Sequence, residues 1–312
     1  MARTLSSPTW WDLLQWVYLT LRRENKHYTS NRPLTAQRIR ASLRPTVDRP
    51  VFVLGAPRSG TTFLGRCIGA LPSVSYHFEP MATKSAAEYV YRGDWDEQNA
   101  GRFYRFVYRM LLRLHLDGDC RFAEKTPRNC FIIPFLRRTF PSAQFVFIVR
   151  DGRDAALSHS KKPWLRPEGE STLETGSHQF GAYPRFWVEP DRKEAFRSTT
   201  TFHRCVWAWR RHVEAALEAL DAVPEADQCR LQYEEFVRHP HREADRLLDA
   251  LGIADANERE ALHAVAHEAH ADSVGAWTAE LTVEQRRRVH HEAGPVLERL
   301  GYRVGQADAA SI

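Results

Sequence analysis

The chain has few cysteines and no long apolar run. The cysteines are odd in number and lie far apart: Cys67, Cys120, Cys130, Cys205 and Cys229. Such spacing is not that of a disulfide framework or a zinc site, and it fits a reducing compartment, so we expect a cytoplasmic protein. No stretch of roughly 18 apolar residues is present, so no membrane-spanning helix is expected. The chain does not open with the basic, apolar and small-residue segments of a secretory signal peptide, so no such signal is expected.

The excess of positive charge is small for the length. Lys and Arg number 44 against 39 Asp and Glu residues, which gives a net charge of +5 over 312 residues. This balance suits an anionic small ligand and gives little support for nucleic acid, which we do not expect as a partner. The length and the 43% hydrophobic content allow one large α/β domain, although the length alone would also permit two domains.

The most informative stretch is VFVLGAPRSGTTF, residues 51–63. Its first four residues are apolar and typical of a buried parallel strand, and a helical pattern begins at Thr61. The loop between them has glycine at both ends, Gly55 and Gly60. Glycine lets backbone N–H groups turn inward and a helix N-terminus is partly positive, so this stretch predicts an anion site. An ordinary tight turn is the alternative for this stretch alone.

The lysine of a nucleotide-binding phosphate loop is missing. The spacing matches G-x-x-x-x-G-K-[ST], but Thr61 stands at the lysine position and Thr62 follows it. A nucleoside triphosphatase would lose the charge that reaches the β- and γ-phosphates. Arg58 supplies a cation inside the loop instead, so we expect a phosphate-like group that is not a triphosphate.

Two further predicted strands end in charged residues. Residues 74–78 indicate a strand that brings His77 and Glu79 to its end, and residues 120–123 indicate one that runs into Lys125. Because the carboxyl ends of strands form the ligand crevice of an open α/β sheet, Glu79 is a candidate general base. Taken alone, a solvated loop acid is the more common interpretation of such a glutamate, and Lys125 could equally be a surface lysine.

A second strong stretch is FVFIVRDGRDAALS, residues 145–158. Five apolar residues predict a central strand that ends at Arg150, and Asp151 begins a helix that carries Ser158 about two turns along. An arginine and a hydroxyl so placed can bind a second phosphate. A triphosphatase is expected to have a magnesium-binding acid at this strand end, so the arginine argues against that chemistry.

Together these two stretches resemble the sulfotransferase family that uses 3′-phosphoadenosine 5′-phosphosulfate (PAPS). The first resembles the 5′-phosphosulfate loop of that family and the second its 3′-phosphate site. The likeness continues through EKTPRNCFIIPFLRRTFP, residues 231–240 and SVGAW, over roughly residues 50–302. It implies an α/β fold with a central parallel sheet of about five strands flanked by helices, and sulfuryl transfer to an acceptor hydroxyl. A nucleotide or nucleoside kinase, or a non-catalytic module that binds PAPS or its bisphosphate product PAP, are the alternatives.

The resemblance also implies roles for individual residues. Proline follows Lys125-Thr126 where the family's cytosolic enzymes have a catalytic histidine, so the base falls on Glu79, with His77 as a fallback. Lys125 and Arg58 would stabilise the transferred group and the leaving oxygen, and no metal is required. The implied donor-binding residues are Arg58, Ser59, Gly60, Thr61, Thr62, Phe63, Arg150, Ser158 and Tyr233, with the two aromatic residues near the adenine.

One implied contact to the donor is missing from the sequence. The family often has a basic residue that reaches the 3′-phosphate where this chain has Ala276. Arg153 is a candidate replacement, and the affinity for PAPS is expected to be lower if nothing replaces the missing residue.

The rest of the chain predicts its organisation. Residues 1–45 are expected to form an N-terminal helical extension, residues 46–305 the sulfotransferase domain and residues 306–312 a flexible tail. Within the domain, residues 161–197 are rich in Pro, Gly and aromatics and are expected to be a lid over the acceptor. A final helix over residues 282–300 is expected to break at Gly294-Pro295.

The N-terminal helix bears on the acceptor and on membrane contact. A helix over residues 9–23 either packs on the domain or contacts lipid or a lipid-like acceptor. Its apolar face is predicted to hold Trp10, Leu13, Leu14, Val17 and Leu21. With the aromatic lid, it favours an acceptor with apolar bulk, such as a lipid-linked sugar, a phenol or a natural product, while a plain carbohydrate stays possible.

Overall fold

Five short parallel strands form one sheet within the part of the chain that the computed structural model describes, residues 7–23, 32–162, 185–269 and 271–303. The strands are β1 (Val51–Leu54), β2 (Val74–Phe78), β3 (Arg121–Lys125), β4 (Gln144–Val149) and β5 (Gln228–Gln232). Their order is β2-β3-β1-β4-β5, and every neighbouring pair is parallel. The predicted α/β fold with a five-stranded parallel sheet is confirmed.

Helices connect and cover the strands. They are α1 (Trp10–Arg23), α2 (Ala36–Leu43), α3 (Thr61–Gly69), α4 (Met81–Arg92), α5 (Glu97–Leu114), α6 (Ile133–Thr139), α7 (Gly152–Ser160), α8 (Lys193–Ser198), α9 (Thr201–Leu220), α10 (Tyr233–Arg238), α11 (Pro240–Leu251), α12 (Ala256–Ala266), α13 (Trp277–Glu280) and α14 (Val283–Arg299). Short 3-10 turns cover Pro127–Phe131, Pro190–Arg192 and Glu225–Asp227. None of the helices within the described ranges is long and apolar enough to cross a membrane.

Both faces of the sheet are covered by helices. Side chains alternate along a strand, so Phe52 and Leu54 enter one core while Val51 and Val53 enter the other. The first core contains residues of α1, α4 to α9 and α14, and the second contains residues of α3 and α10 to α12. The strands are apolar on both faces for this reason. This double cover fixes the carboxyl edge of the sheet, where the loop at 55–60 begins.

The N-terminal helix packs on the domain, but only part of its predicted apolar face is buried. Trp16 is buried and its ring centre lies 5.5 Å from that of Tyr89 on α4. Leu13 and Val17 pack beside it. Three residues predicted on the packed face are exposed instead: Trp10, Leu14 and Leu21. Apolar residues surround more of α1 than the surface that packs on α4. The predicted apolar face is therefore wider than the buried face.

The final helix does not break at Gly294-Pro295. α14 runs through Pro295 from Val283 to Arg299, so the predicted break is wrong. A proline within a helix removes one backbone hydrogen bond, at a cost of about 3 kcal/mol. Val296 and Leu297 next to it are buried in the core, and this packing holds the helix continuous.

The predicted lid, residues 161–197, divides into two parts. Residues 163–184, with Trp164, Phe180 and Tyr183, lie outside the described residues. From residue 185 onward the segment packs into the domain, because Phe186 and Trp187 are buried and α8 follows. The predicted tail, residues 306–312, and residues 1–6 and 24–31 of the predicted N-terminal extension also lie outside the described residues.

Candidate active site

The loop between β1 and α3 turns its backbone as the glycines predict. Gly55 has φ +152°, Gly60 has φ +90°, and Arg58 between them has φ +71°. A Cβ atom on Gly60 would lie 2.5 Å from Cδ2 of Tyr233, so only glycine fits at this contact. The loop is therefore pressed between the start of α3 and the first residue of α10.

A buried hydroxyl in this loop has no protein partner. Ser59 is fully buried, and its Oγ makes no hydrogen bond in the structure. Buried polar groups are nearly always satisfied, so such an atom needs an explanation. An anion oxygen in the loop would accept this hydrogen bond, as the glycine spacing predicts. Thr61 is buried at the start of α3 and Thr62 is partly buried beside it.

A second buried donor without a partner lies on Arg150, at the end of β4. Its Nη2 donates to the carbonyl of Ser273, and its Nη1 lies 3.5 Å from the carbonyl of Arg58. Its Nε has no hydrogen-bond partner although the side chain is 5% exposed. The guanidinium carbon lies 4.8 Å from the ring centre of Tyr233. The Nε–H donor of Arg150 is therefore free to bind an anion beside the loop.

Two arginines, Arg58 and Arg150, lie close together at this edge. Burial lowers the pKa of Arg58, and the nearby charge of Arg150 lowers it further. Arginine stays charged in proteins, so the two guanidinium groups repel unless an anion binds beside them. Nε of Arg58 also donates to Oγ of Ser158 at 3.2 Å, so the residues predicted for the two phosphate sites adjoin.

Glu79 follows β2 and is held between two lysines. Its backbone N–H donates to the carbonyl of Lys125 at 3.0 Å, and its φ of +46° lies in the left-handed region. One carboxylate oxygen accepts from Nζ of Lys84 at 2.7 Å, and the other accepts from Nζ of Lys125. Nζ of Lys125 also lies 3.9 Å from the ring centre of Phe78. Strained backbone of this kind at a charged cluster is typical of functional sites.

The two lysines decide the protonation state of Glu79. Burial alone would raise the pKa of this carboxyl group, but the charges and hydrogen bonds of Lys125 and Lys84 hold it well below its ordinary value. Glu79 is therefore ionised and able to accept a proton. Its proton affinity is low while both lysines are bound to it.

His77 does not share this site, and the prediction that it is a fallback base is not supported. Side chains alternate along β2, which places His77 on the other face of the sheet from Phe78. Its Nε2 lies 3.0 Å from Oγ of Ser75, which donates to Asp117 at 2.9 Å. The imidazole stacks on Phe122 with ring centres 4.9 Å apart and is 1% exposed. These contacts give His77 a structural role.

Two further predictions concern aromatic residues near an adenine. Tyr233 meets Gly60 and Arg150, so it lies at the junction of the two predicted phosphate sites. Phe63 is partly buried and packs edge-on against Phe236, with ring centres 5.4 Å apart. Its contact with an adenine stays a prediction.

Arg153 is not available to replace the missing basic residue at position 276. Its guanidinium forms a forked ion pair with Asp151, lies 3.8 Å from the ring centre of Trp277 and donates to the carbonyl of Arg303. The backbone N–H groups of Gly275 and Trp277 donate to Asp154 at 2.7 and 3.0 Å. The SVGAW segment therefore docks on α7 through backbone contacts, and Arg153 supports it.

Lys84, whose Nζ lies 2.7 Å from a carboxylate oxygen of Glu79, was not predicted as a site residue. It is in the first turn of α4, where a cation opposes the helix dipole. The feature of the sequence that could have predicted this contact is a lysine five residues after a candidate base. It was missed because the helix start was not predicted.

Within residues 7–23, 32–162, 185–269 and 271–303, no group of three or more His, Cys, Asp and Glu side chains is arranged to hold a metal ion. His263 accepts or donates a hydrogen bond with Asp245 at 2.8 Å, and its ring packs against His241. His263 on α12 thus packs against α11, which carries Asp245 and His241.

Comparison with known proteins agrees with the fold and the motifs. The profile of the family described as "Sulfotransferase family" matches residues 50–257. Protein-tyrosine sulfotransferase A of Caenorhabditis elegans is 22% identical over 219 residues, which cover 65% of this chain and 50% of that protein. This chain thus spans half the length of that relative.

Solved structures show the same fold. Sulfotransferase STF9 from Mycobacterium avium superposes with a TM-score of 0.51 at 17% identity, covering 84% of this chain and 79% of that chain. The mouse sulfotransferase SULT7A1, solved in complex with PAP, gives a TM-score of 0.50 at 14% identity, covering 87% and 92%. The profile spans more than half of the chain and includes both motif stretches. This chain belongs to the sulfotransferase family.

Proposed function

We propose that this protein transfers a sulfuryl group from PAPS to a hydroxyl of an acceptor molecule. The observation that supports it most is the pair of buried donors without partners, Oγ of Ser59 and Nε of Arg150. They lie on the two motifs that resemble the family's 5′-phosphosulfate loop and its 3′-phosphate site. A donor with an anionic group at each end would satisfy both of them.

The proposed chemistry uses Glu79, Arg58 and the N–H groups of the loop after β1. The acceptor oxygen attacks sulfur, the new oxygen–sulfur bond forms, and the bond from sulfur to the phosphate oxygen of PAPS breaks. Glu79 takes the proton of the acceptor hydroxyl. Negative charge that develops on the leaving oxygen is stabilised by Arg58 and the loop N–H groups, and PAP leaves with that oxygen.

Lys125 links donor binding to the strength of the base. In the structure it is bound to Glu79, which keeps the proton affinity of that carboxylate low. If Lys125 turns toward the sulfuryl oxygens when PAPS binds, Glu79 keeps only its contact with Lys84 and becomes a stronger base. Under this proposal the base is strengthened only when the donor is in place.

The acceptor belongs to the proposal. The relatives named protein-tyrosine sulfotransferases favour a phenolic hydroxyl, one of the classes predicted from the sequence. The lid predicted over residues 161–197 stays a prediction. Trp10, Trp11 and Tyr18 of α1 are exposed and suit peripheral contact with a membrane surface.

The cellular compartment is also part of the proposal. The five cysteines are free, which fits a reducing compartment such as the cytoplasm.

Calorimetric titration with PAP, without magnesium, tests the donor site. We expect the wild-type protein to bind PAP and Arg150→Ala to bind it far more weakly. Binding of ATP with magnesium, and no binding of PAP, would overturn the proposal in favour of a kinase. Radiolabelled sulfuryl transfer from PAPS to acceptors then separates an enzyme from a non-catalytic module that binds PAP without turnover.

A further inference from the structure

A buried carboxylate of β3, that of Glu124, binds hydrogen-bond donors from three other segments of the chain. Its Oε1 accepts from the hydroxyl of Tyr108 on α5 and from Nδ2 of Asn129 at 2.8 Å. Its Oε2 accepts from the hydroxyl of Thr126 at 3.1 Å and from that of Thr83 on α4 at 3.5 Å. Glu124 and the four donor residues are all 0% exposed. Because buried donors need a partner within the protein, these four depend on Glu124 rather than on solvent.

One of these hydrogen bonds holds the backbone on both sides of Lys125. This lysine lies directly between Glu124 and Thr126 in the chain. Thr126 continues the extended backbone of β3, with φ −139° and ψ 114°. Side chains alternate along extended backbone, so Glu124 and Thr126 share one side of it and Lys125 points to the other. On that side Nζ of Lys125 binds the carboxylate of Glu79.

Lys84, the other lysine on Glu79, is tied to the same buried carboxylate by two routes. Thr83, which donates to Glu124, directly precedes Lys84 on α4. The second route is the 3-10 turn after β3, which contains Arg128 and Asn129. Nη1 of Arg128 donates to the carbonyl of Lys84 at 2.9 Å. Glu124 holds this turn through Asn129, and the turn holds the backbone of Lys84.

We infer that Glu124 is a positioning residue, which keeps Lys84 and Lys125 bound to the carboxylate of Glu79. The inference rests on the proposed function, because that function makes Glu79 the base. It gives Glu124 no contact with PAPS or with the acceptor. Without Glu124 the two lysines would be free to move away from Glu79, and burial would then raise the pKa of that carboxyl group.

The test is an NMR titration of the Glu79 carboxyl group in protein labelled with carbon-13 at its glutamate carboxyl carbons. The variant Glu79→Gln identifies the resonance by its loss. In wild-type protein we expect this group to stay ionised down to about pH 4. In Glu124→Met we expect it to titrate as an ordinary glutamate with a pKa of about 4.3, so that about two thirds of it is protonated at about pH 4.

Two further groups interact with the charge of Glu79 and stay unchanged in these variants. They are Arg128 of the 3-10 turn and Tyr76 of β2. Since neither is substituted, a change in the titration of Glu79 reports on the lysines and on the turn that Glu124 holds.

A milder variant decides the question if Glu124→Met does not fold. Thr83→Val combined with Thr126→Val removes both hydroxyls, keeps the side-chain shapes and leaves the contacts of Glu124 with Tyr108 and Asn129. We expect the pKa of the base to rise in this variant too, by less than in Glu124→Met. Glu124→Gln is the conservative change, because its amide can still hydrogen-bond the four donor residues, and it should titrate as the wild type does.

Glu258→Met is the matched control. Glu258 is a buried glutamate on α12 that accepts from the backbone N–H of Ser73 at 2.8 Å. This variant should lower thermal stability without moving the titration of Glu79, which separates a loss of stability from a loss of positioning.

Two results would overturn the inference. One is a Glu79 that stays ionised down to about pH 4 in every test variant that folds, and the other is a Glu79 that titrates in the ordinary range in wild-type protein. Failure of the wild-type protein to bind PAP would instead contradict the proposed function. The NMR titration needs neither PAP nor acceptor, so the two failures are distinguishable.

Discussion

Nε of Arg58 donates a hydrogen bond to Oγ of Ser158 at 3.2 Å, across 100 positions of the sequence. The bond joins the loop after β1 to the helix after β4, and β1 and β4 are neighbours in the sheet. The two motifs that are far apart in the chain are therefore one site in the fold. The hydroxyl of Ser158 orients Arg58, and under the proposed function it would also bind a phosphate.

We expect Ser158→Ala to weaken the binding of PAP about tenfold, because a charged phosphate would lose a hydrogen bond. Calorimetric titration measures this directly. The matched control is Ser160→Ala on the same helix, since Oγ of Ser160 donates to the carbonyl of Leu157. An equal loss of affinity in both variants would mean that the helix, and not the Ser158 hydroxyl, is responsible.

Replacing Glu79 with Gln keeps the size of the side chain and removes its ability to take a proton. We expect kcat to fall by roughly 10²–10⁴, the usual contribution of a general base, with PAP affinity almost unchanged. Steady-state kinetics and calorimetry together measure this separation. Glu97→Gln, which alters an exposed carboxylate paired with Arg138, should leave both quantities unchanged. Near-normal turnover of Glu79→Gln would remove this residue from the role of base.

Lys84→Met tests how the pKa of Glu79 is set. The lysine lowers this pKa, so its removal should raise the pKa toward the ordinary value. A base works only when ionised, and ionisation is lost as the pH falls through the pKa of the folded enzyme. The acid limb of the kcat/KM profile should therefore move to higher pH in the variant. Lys193→Met on α8 is the control, and an unmoved acid limb in Lys84→Met would show that Lys84 does not tune the base.

The positions that could be predicted from the sequence are those where local pattern and tertiary role agree. The apolar run of β1 followed by Gly55 and Gly60 predicted a strand, a turn and a helix start, and the structure has all three. The end of β4 at Arg150 was predicted for the same reason. The strands β1 and β4 are buried on both faces of the sheet. Their sequences are therefore apolar throughout, and few other structures fit such a pattern.

Side-chain direction was harder to predict. His77 and Glu79 are two residues apart, and the sequence suggested that both would face one crevice. The backbone turns into the left-handed region at Glu79, and His77 points into the first core. Neither the turn at a non-glycine residue nor the buried partners of His77 have a local sequence signal, because both depend on residues of other elements.

Contacts between distant segments also could not be predicted from the sequence. Arg153, within the second motif, was a candidate phosphate ligand, yet its guanidinium pairs with Asp151, two positions away, and lies over Trp277 of a distant segment. Lys84 had no predicted role and contacts Glu79 directly. The role of a charged residue depends on the groups that it contacts, and the fold decides which groups those are.

The contact between the loop and Tyr233 gives a last prediction. A methyl group at Gly60 would meet Cδ2 of Tyr233 at 2.5 Å, at a backbone φ of +90° that side chains rarely adopt. Gly60→Ala should therefore displace the loop or the ring and weaken PAP binding strongly, by more than tenfold. Gly93 is the matched control, because it has φ +71° but nothing within 4 Å of an added Cβ.

Gly93→Ala should cost about 1–2 kcal/mol of stability from backbone strain and leave PAP affinity unchanged. Thermal unfolding and calorimetry of the two variants separate the two effects. If both variants lose stability equally and both bind PAP as the wild type does, the loop tolerates a side chain at position 60. The close packing of Gly60 on Tyr233 would then have no part in donor binding, and the phosphosulfate would have to bind away from this turn.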